Sequence, residues 1–250
     1  MATEIAVVLA AGKGTRMKSE LPKVLFPVLA RPMIDYVLDA LGKAGLSRIV
    51  VVVGYRAEMV RGAIEGRAGV EFALQTEQLG TGHAVMACRS QLEGHDGAVL
   101  VVAGDAPMIQ ADTVRRLLDE FHRTQPACLL GTVRHPNPVG LGRIVRDSAG
   151  RFVGIVEEKD ATEEQRAITE VNMSYYVFQC SDLLGALEHL RADNAAGEYY
   201  ITDVPAVLAA QGKKIEALCV LQPCEALAVN NVEELAAVEA ELRRRGRCPA

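Results

Sequence analysis

Ile5-Ala-Val-Val-Leu-Ala-Ala-Gly-Lys-Gly-Thr-Arg-Met17 carries an apolar run straight into a small, glycine-bearing segment studded with cations. A short continuous apolar run reads as a strand buried on both faces, and the glycines mark the loop by which it leaves the sheet. Two further runs repeat the pattern: Arg48-Ile-Val-Val-Val-Val53 stops at Gly54, and Ala98-Val-Leu-Val-Val-Ala103 stops at Gly104. Between them, Met33, Ile34, Val37, Leu38 and Leu41 recur at helical spacing, and Ala84, Val85, Cys88 and Leu92 form a second stripe. Parallel strands cannot be joined by tight hairpins, so buried strands alternating with helices imply right-handed crossovers. The expected class is α/β, a Rossmann-like doubly wound, mostly parallel mixed sheet.

After a helix expected at Asp112 to Thr124, the pattern changes. Cys128-Leu-Leu-Gly-Thr-Val133, Gly142-Arg-Ile-Val-Arg146, Phe152-Val-Gly-Ile-Val156 and Val171-Asn-Met-Ser-Tyr-Tyr-Val-Phe178 follow closely with few helices between them. Turn residues at Pro136-Asn-Pro138 and Asp147 to Gly150 separate them, which suggests an antiparallel extension of the sheet. Helices at Ser181 to Arg191 and Asp203 to Gln211 and a strand near Ile215 to Leu221 complete the expected order. The organisation is one domain over 1–230, with halves of about 1–110 and 111–230, and a C-terminal helix within 231–250. In that helix acidic residues precede Arg243, Arg244 and Arg245, so the arginines read as a solvated helix end.

Among the 250 residues, 27 Lys and Arg stand against 32 Asp and Glu, a net charge of −5. That balance argues against bulk attraction to nucleic acid or anionic membrane. The start of the chain has neither a basic nor an apolar leader segment, and no apolar run has the length of a membrane span. The six cysteines are scattered without a C-x-x-C, so buried, reduced thiols and a cytoplasmic setting are expected.

The loop after the first strand suits phosphate. Small residues at Ala10, Ala11 and Gly12 let the backbone approach a ligand, and Lys13, Arg16 and Lys23 supply charge. It has neither the Walker spacing nor the third glycine of a dinucleotide loop. An ordinary strand-to-helix turn is the alternative. Asp105 ends a buried strand at the carboxyl edge of a parallel sheet, where such folds bind ligands, and an oxygen donor there suits Mg²⁺. It reads otherwise as a turn cap. Gln75 and Gln78 bracket a loop whose amides can read an uncharged base; His83 beside them is given no catalytic duty. Glu157 and Asn172 are polar residues among apolar neighbours, either ligand-binding or members of a buried hydrogen-bond network.

L-A-A-G-K-G-T-R-M followed by Leu21-Pro-Lys23 resembles the signature of the sugar nucleotidyltransferases. Gln75-Thr-Glu-Gln-Leu-Gly-Thr-Gly-His-Ala84 is similar to one branch, the UTP:N-acetylglucosamine-1-phosphate uridylyltransferases. Gly104-Asp-Ala-Pro107, Gly142-Arg-Ile144, Val156-Glu-Glu-Lys-Asp-Ala161, Glu170-Val-Asn172, Gly197-Glu-Tyr-Tyr-Ile-Thr-Asp203 and Val229-Asn-Asn231 follow in the family's order. The resemblance implies a sheet of the nucleotidyltransferase type with an antiparallel sugar-binding extension. It also implies Mg²⁺-dependent transfer of UMP from UTP to N-acetylglucosamine 1-phosphate.

By the same resemblance Arg16, Lys23 and Asp105 are catalytic, and Asp105 and Asn230 hold the metal. Leu9, Ala10, Ala11, Gly12, Gln75, Gly80 and Thr81 bind the nucleotide. Gly104, Gly142, Glu157, Asn172, Tyr200 and Thr202 bind the sugar. Asn231 is the better N-cap for the last helix. The bifunctional members continue into an acetyltransferase domain of hexapeptide repeats, which this sequence lacks, so that activity is expected to be absent. Two residues depart from the family pattern: Ser174 stands where glycine is usual, and Ala103 where tyrosine is common. Another sugar 1-phosphate or nucleotide, or a nucleotide-sugar-binding module without turnover, are the alternatives.

Overall fold

The computed structural model describes residues 4–14, 19–194, 196–227, 229 and 231–246. Its centre is a mixed sheet built on β1 (Ile5–Ala10). This strand pairs in parallel with β4 (Arg48–Val53) on one side and β6 (Ala98–Ala103) on the other. Pairing continues outward from β4 to β5 (Val70–Leu74), also in parallel. On the far side β10 (Glu170–Gln179) runs antiparallel to both β6 and β7 (Cys128–Arg134), and β11 (Ile215–Cys219) closes the edge parallel to β7. The order is therefore β11-β7-β10-β6-β1-β4-β5. An antiparallel arm of β8 (Arg143–Arg146) and β9 (Phe152–Val156) attaches through β10.

The apolar runs form strands because both faces are covered. Ala6, Val8 and Ala10 point into one core with Val37 and Leu41 of α1 (Met33–Ala44) and Leu117 and Phe121 of α5 (Ala111–Thr124). Ile5 and Val7 point into the other, with Val85 of α3 (Thr81–Met86), Leu183 of α7 (Cys180–Leu187) and Leu208 of α8 (Val204–Ala210). Period-2 alternation within continuous apolar runs thus feeds two cores at once. A third, smaller cluster packs Val238 and Leu242 of α9 (Val232–Arg244) against Val28 and Met33.

Several boundaries differ from the sequence reading. The stripe Ala84 to Leu92 is two helices, α3 and α4 (Arg89–Leu92), separated at Ala87 and Cys88, although all four stripe residues are buried. A hairpin of β2 (Pro27–Val28) and β3 (Arg31–Pro32) and the short α2 (Ala57–Ala63) are additional elements. Glu158 pairs with the buried Arg143 at 2.6 Å. Asn231 caps α9 as expected, accepting from the Glu234 amide at 2.8 Å. Arg244 and Arg245 both turn back to Glu241, as a solvated helix end requires. Cys88, Cys128, Cys180 and Cys224 are buried and Cys219 is exposed; Cys248 lies outside the described residues. Among the described residues no helix is long and apolar enough to cross a membrane.

Candidate active site

The carboxyl ends of β1 and β6 open into a cleft of about 760 Å³. The strands converge tightly there. Gly104 donates its amide to the Leu9 carbonyl at 2.9 Å, and a Cβ on Gly104 would stand 2.9 Å from that same oxygen. Glycine is what lets β6 end against β1. On the other flank the Tyr55 amide donates to the Ala11 carbonyl at 3.0 Å, fixing the loop that leaves β1. Leu9, Ala10, Ala11 and Gly12 all line the cleft, with Lys13 beside them over the Tyr55 ring at 5.4 Å.

Lys23 enters from a one-turn 3-10 helix (Lys23–Leu25) held down by buried Val24 and Leu25. Its Nζ lies 2.6 Å from Asp105 Oδ2, so two residues separated by 82 positions meet at the mouth of the sheet. Arg16 and Asn230, the other charged and metal-side candidates, lie outside the described residues. Among the described residues no group of three or more His, Cys, Asp or Glu forms a metal cage. A carboxylate beside this glycine-bearing loop nevertheless fits Mg²⁺, which takes one or two protein oxygens and fills its shell with phosphate and water.

The loop after β5 forms the next wall. Gln75 is buried, and its Nε2 reaches the Gly80 carbonyl and His83 Nδ1, each at 3.0 Å. Both amide hydrogens are thereby committed, which leaves Oε1 as the group for a ligand donor. His83 therefore supports Gln75, a role its sequence position did not suggest. Gly80 has φ +107°, and a Cβ there would lie 2.5 Å from the Tyr199 carbonyl. That close approach lets 79–82 clamp onto 199–201: the Tyr199 amide donates to Leu79 O at 2.8 Å, the Gly82 amide to Tyr199 O at 2.7 Å, and the Ile201 amide to Thr81 Oγ1 at 3.0 Å. The clamp brings Glu198, Tyr200, Ile201 and Thr202 to the cleft, and of these Glu198 and Ile201 were not expected there.

Glu157 also lines the cleft. Burial, then the nearby Asp160 and Asp203 carboxylates, push its carboxyl up, with Arg143 partly offsetting them. Burial likewise raises Asp203. The cleft thus carries Lys13 and Lys23, with Asp105 paired to Lys23, and the carboxylates of Glu157 and Glu198 in the same lining. Gly142 stands behind Glu157, since a Cβ there would lie 3.2 Å from Glu157 Oε1. Asn172 is also behind the wall rather than in it. Its amide nitrogen donates to the Tyr176 hydroxyl at 2.7 Å, its Oδ1 accepts from the Ser174 amide at 3.3 Å, and its backbone amide donates to Gly142 O at 2.9 Å. Ser174 and Ala103, the two departures from the family pattern, both line the cleft.

Comparison with known proteins gives a consistent result. The family model described as a MobA-like NTP transferase domain matches residues 6–206. A protein of Pelotomaculum thermopropionicum named bifunctional protein GlmU is 46% identical over 241 residues, 96% of this chain and 52% of that protein. The protein of the same name from Streptococcus suis is 41% identical over 245 residues, covering 98% and 53%. The chain thus spans about half the length of the curated relatives it matches. A crystal structure of UDP-glucose pyrophosphorylase complexed with UDP-glucose superposes with a TM-score of 0.78 at 18% identity, over 98% of this chain and 100% of that one.

Proposed function

Because the chain belongs to the family of MobA-like NTP transferase domains, we propose that it transfers UMP from UTP to N-acetylglucosamine 1-phosphate, releasing pyrophosphate. The observation that carries this reading is the lining of a single cleft. Lys13 and Lys23 sit by a glycine loop suited to polyphosphate, and Glu157 and Tyr200 line the same cleft, where neutral sugar hydroxyls need acceptors. The choice of uracil and of an N-acetylated sugar rests on the motif resemblance at 75–84 and 156–172.

In this reading about 1–110 holds the nucleotide and about 111–230 the sugar. The acceptor phosphate is already ionised at neutral pH and attacks the α-phosphorus in line, so no general base and no protein nucleophile are required. The task of the chain is to hold two polyanions together against their repulsion, which is positional and electrostatic catalysis. Lys23 offsets charge along the phosphates, and Gln75 Oε1 accepts from the uracil N3–H. Tyr200 and Thr202 fix the sugar beside Glu157, with Gly104 and Gly142 shaping its walls and Asn172 holding the wall from behind. Asp105 and, by resemblance, Asn230 would hold magnesium, which would supply a divalent charge to offset that of the phosphates. Arg16, by resemblance, stabilises the departing pyrophosphate.

The test is pyrophosphate release in the presence of magnesium, with UTP, CTP and dTTP each paired against a panel of sugar 1-phosphates. The expected result is highest kcat/KM with UTP and N-acetylglucosamine 1-phosphate. Binding of the nucleotide sugar without release under any pairing would replace the enzyme by a binding module.

A further inference from the structure

Ser174 has φ +58°, in the left-handed region where side chains other than glycine are disfavoured. It lies in an irregularity of β10: Asn172 pairs with Thr132 and Tyr175 with the adjacent Gly131, so Met173 and Ser174 are extra residues on the β10 side. Such bulges re-aim a side chain. This one is firmly held, by the Ser174 amide on Asn172 Oδ1 at 3.3 Å and by buried Tyr175 and Tyr176 on its far side. The chain therefore maintains a strained residue in the wall of the cleft that Glu157 also lines, where glycine would sit at ease.

The hydrogen bonds around it define what the side chain offers. The Tyr176 hydroxyl accepts from Asn172 Nδ2 at 2.7 Å and also meets the Ser174 side chain. Ser174 also lines the cleft, so its hydroxyl, with one proton and two lone pairs, has hydrogen-bonding capacity for a ligand there. Space is left for a ligand there, because Ala103 ends β6 two residues beyond the Val101–Tyr176 pair and contributes only a methyl group to the lining.

We propose that Ser174 is a specificity-determining residue. Its hydroxyl makes a hydrogen bond with a hydroxyl of the sugar ring or with an acylamino group on it, and the backbone strain is retained for that contact. The inference rests on the functional reading above, since it assigns the sugar to this wall. A site built to hydrogen-bond a substrate oxygen discriminates against the analogue lacking it more strongly than an apolar pocket does.

The experiment measures kcat and KM for the parent hexose 1-phosphate and its monodeoxy analogues in the wild-type chain, Ser174→Gly and Ser174→Ala. Wild type is expected to penalise one deoxy analogue, and both variants to shrink that penalty by about tenfold or more through KM for the parent sugar. KM for UTP stays unchanged. Ser174→Gly is expected to melt at or above the wild-type temperature, because glycine adopts this φ freely. Wild-type ratios for every analogue in both variants overturn the proposal, as does a uniform loss across all sugars, the mark of a structural role. If the wild-type chain turns over no hexose 1-phosphate, the functional reading fails first and the proposal with it.

Discussion

Lys23 Nζ and Asp105 Oδ2 stand 2.6 Å apart, so the carboxylate proposed to hold magnesium is already neutralised by an ammonium group of its own chain. A divalent ion arriving at Asp105 has to share or displace that partner. Lys23→Ala is therefore expected to bind magnesium more tightly than wild type in the absence of nucleotide, while its turnover falls on the order of a hundredfold for want of the cation at the phosphates. Calorimetric magnesium titration and steady-state pyrophosphate release read the two effects separately. Unchanged magnesium affinity in Lys23→Ala would show that the ion does not compete with this pair.

Base selection is assigned to Gln75, whose Nε2 is held by Gly80 O and His83 Nδ1. Gln75→Ala removes the only group of that side chain left to meet the uracil and loosens the loop. The expected outcome is a loss of preference for UTP over CTP, whose base has no N3–H, by about tenfold, with the ratio to dTTP, whose base has the same N3–H, unchanged. Relative rates equal to wild type would move base recognition elsewhere.

Gly80→Ala places a methyl group 2.5 Å from the Tyr199 carbonyl at φ +107°. The clamp between 79–82 and 199–201 then opens, with an expected stability loss of about 1–3 kcal/mol. Tyr200 and Thr202 ride on that clamp, so KM for the sugar phosphate rises as well. Denaturant unfolding and hydrogen exchange at the Tyr199 amide check this. Protection at Tyr199 equal to wild type would contradict it.

Acid stability depends on Glu170. Burial raises its carboxyl, but Arg146 and Thr132 Oγ1, at 2.7 and 2.6 Å from Oε1, outweigh burial and hold it below its ordinary value. The folded chain thus binds this proton less readily than the unfolded chain. The stability it contributes is present above the ordinary carboxylate value of 4.5 and is lost as pH falls through the lower folded-state value. Glu170→Gln is expected to cost about 2 kcal/mol at pH 7 and progressively less on acidification. A difference from wild type that does not change with pH would assign the effect to packing alone.

What the sequence revealed follows from how the signals arise. β1, β4 and β6 were legible because a parallel strand covered on both faces leaves an unbroken apolar run, as Val50 to Val53 does. The β2–β3 hairpin was not, since its turn places Leu29 and Ala30 at φ +48° and +64° without the Asn or Gly that would announce it. Glu239 of α9 accepts the Leu29 amide at 3.0 Å, a contact 210 residues away along the chain that holds this turn in place. In the cleft, motif spacing located Lys23, Asp105, Gln75 and Glu157. The clamp that brings Glu198 and Ile201 to the same cleft is made by backbone groups far apart in sequence, which leave no pattern to read. Ser174 was visible as a departure, but its positive φ is a property of the bulge.

The central claim is direct transfer between two phosphates held in one cleft, with no nucleotide ever attached to the protein. The decisive measurement is the configuration at the α-phosphorus after turnover of UTP bearing a stereodefined α-thiophosphate. Inversion is the predicted result, the consequence of one in-line displacement. Retention would reveal two successive displacements through a nucleotidylated side chain, and would contradict the account.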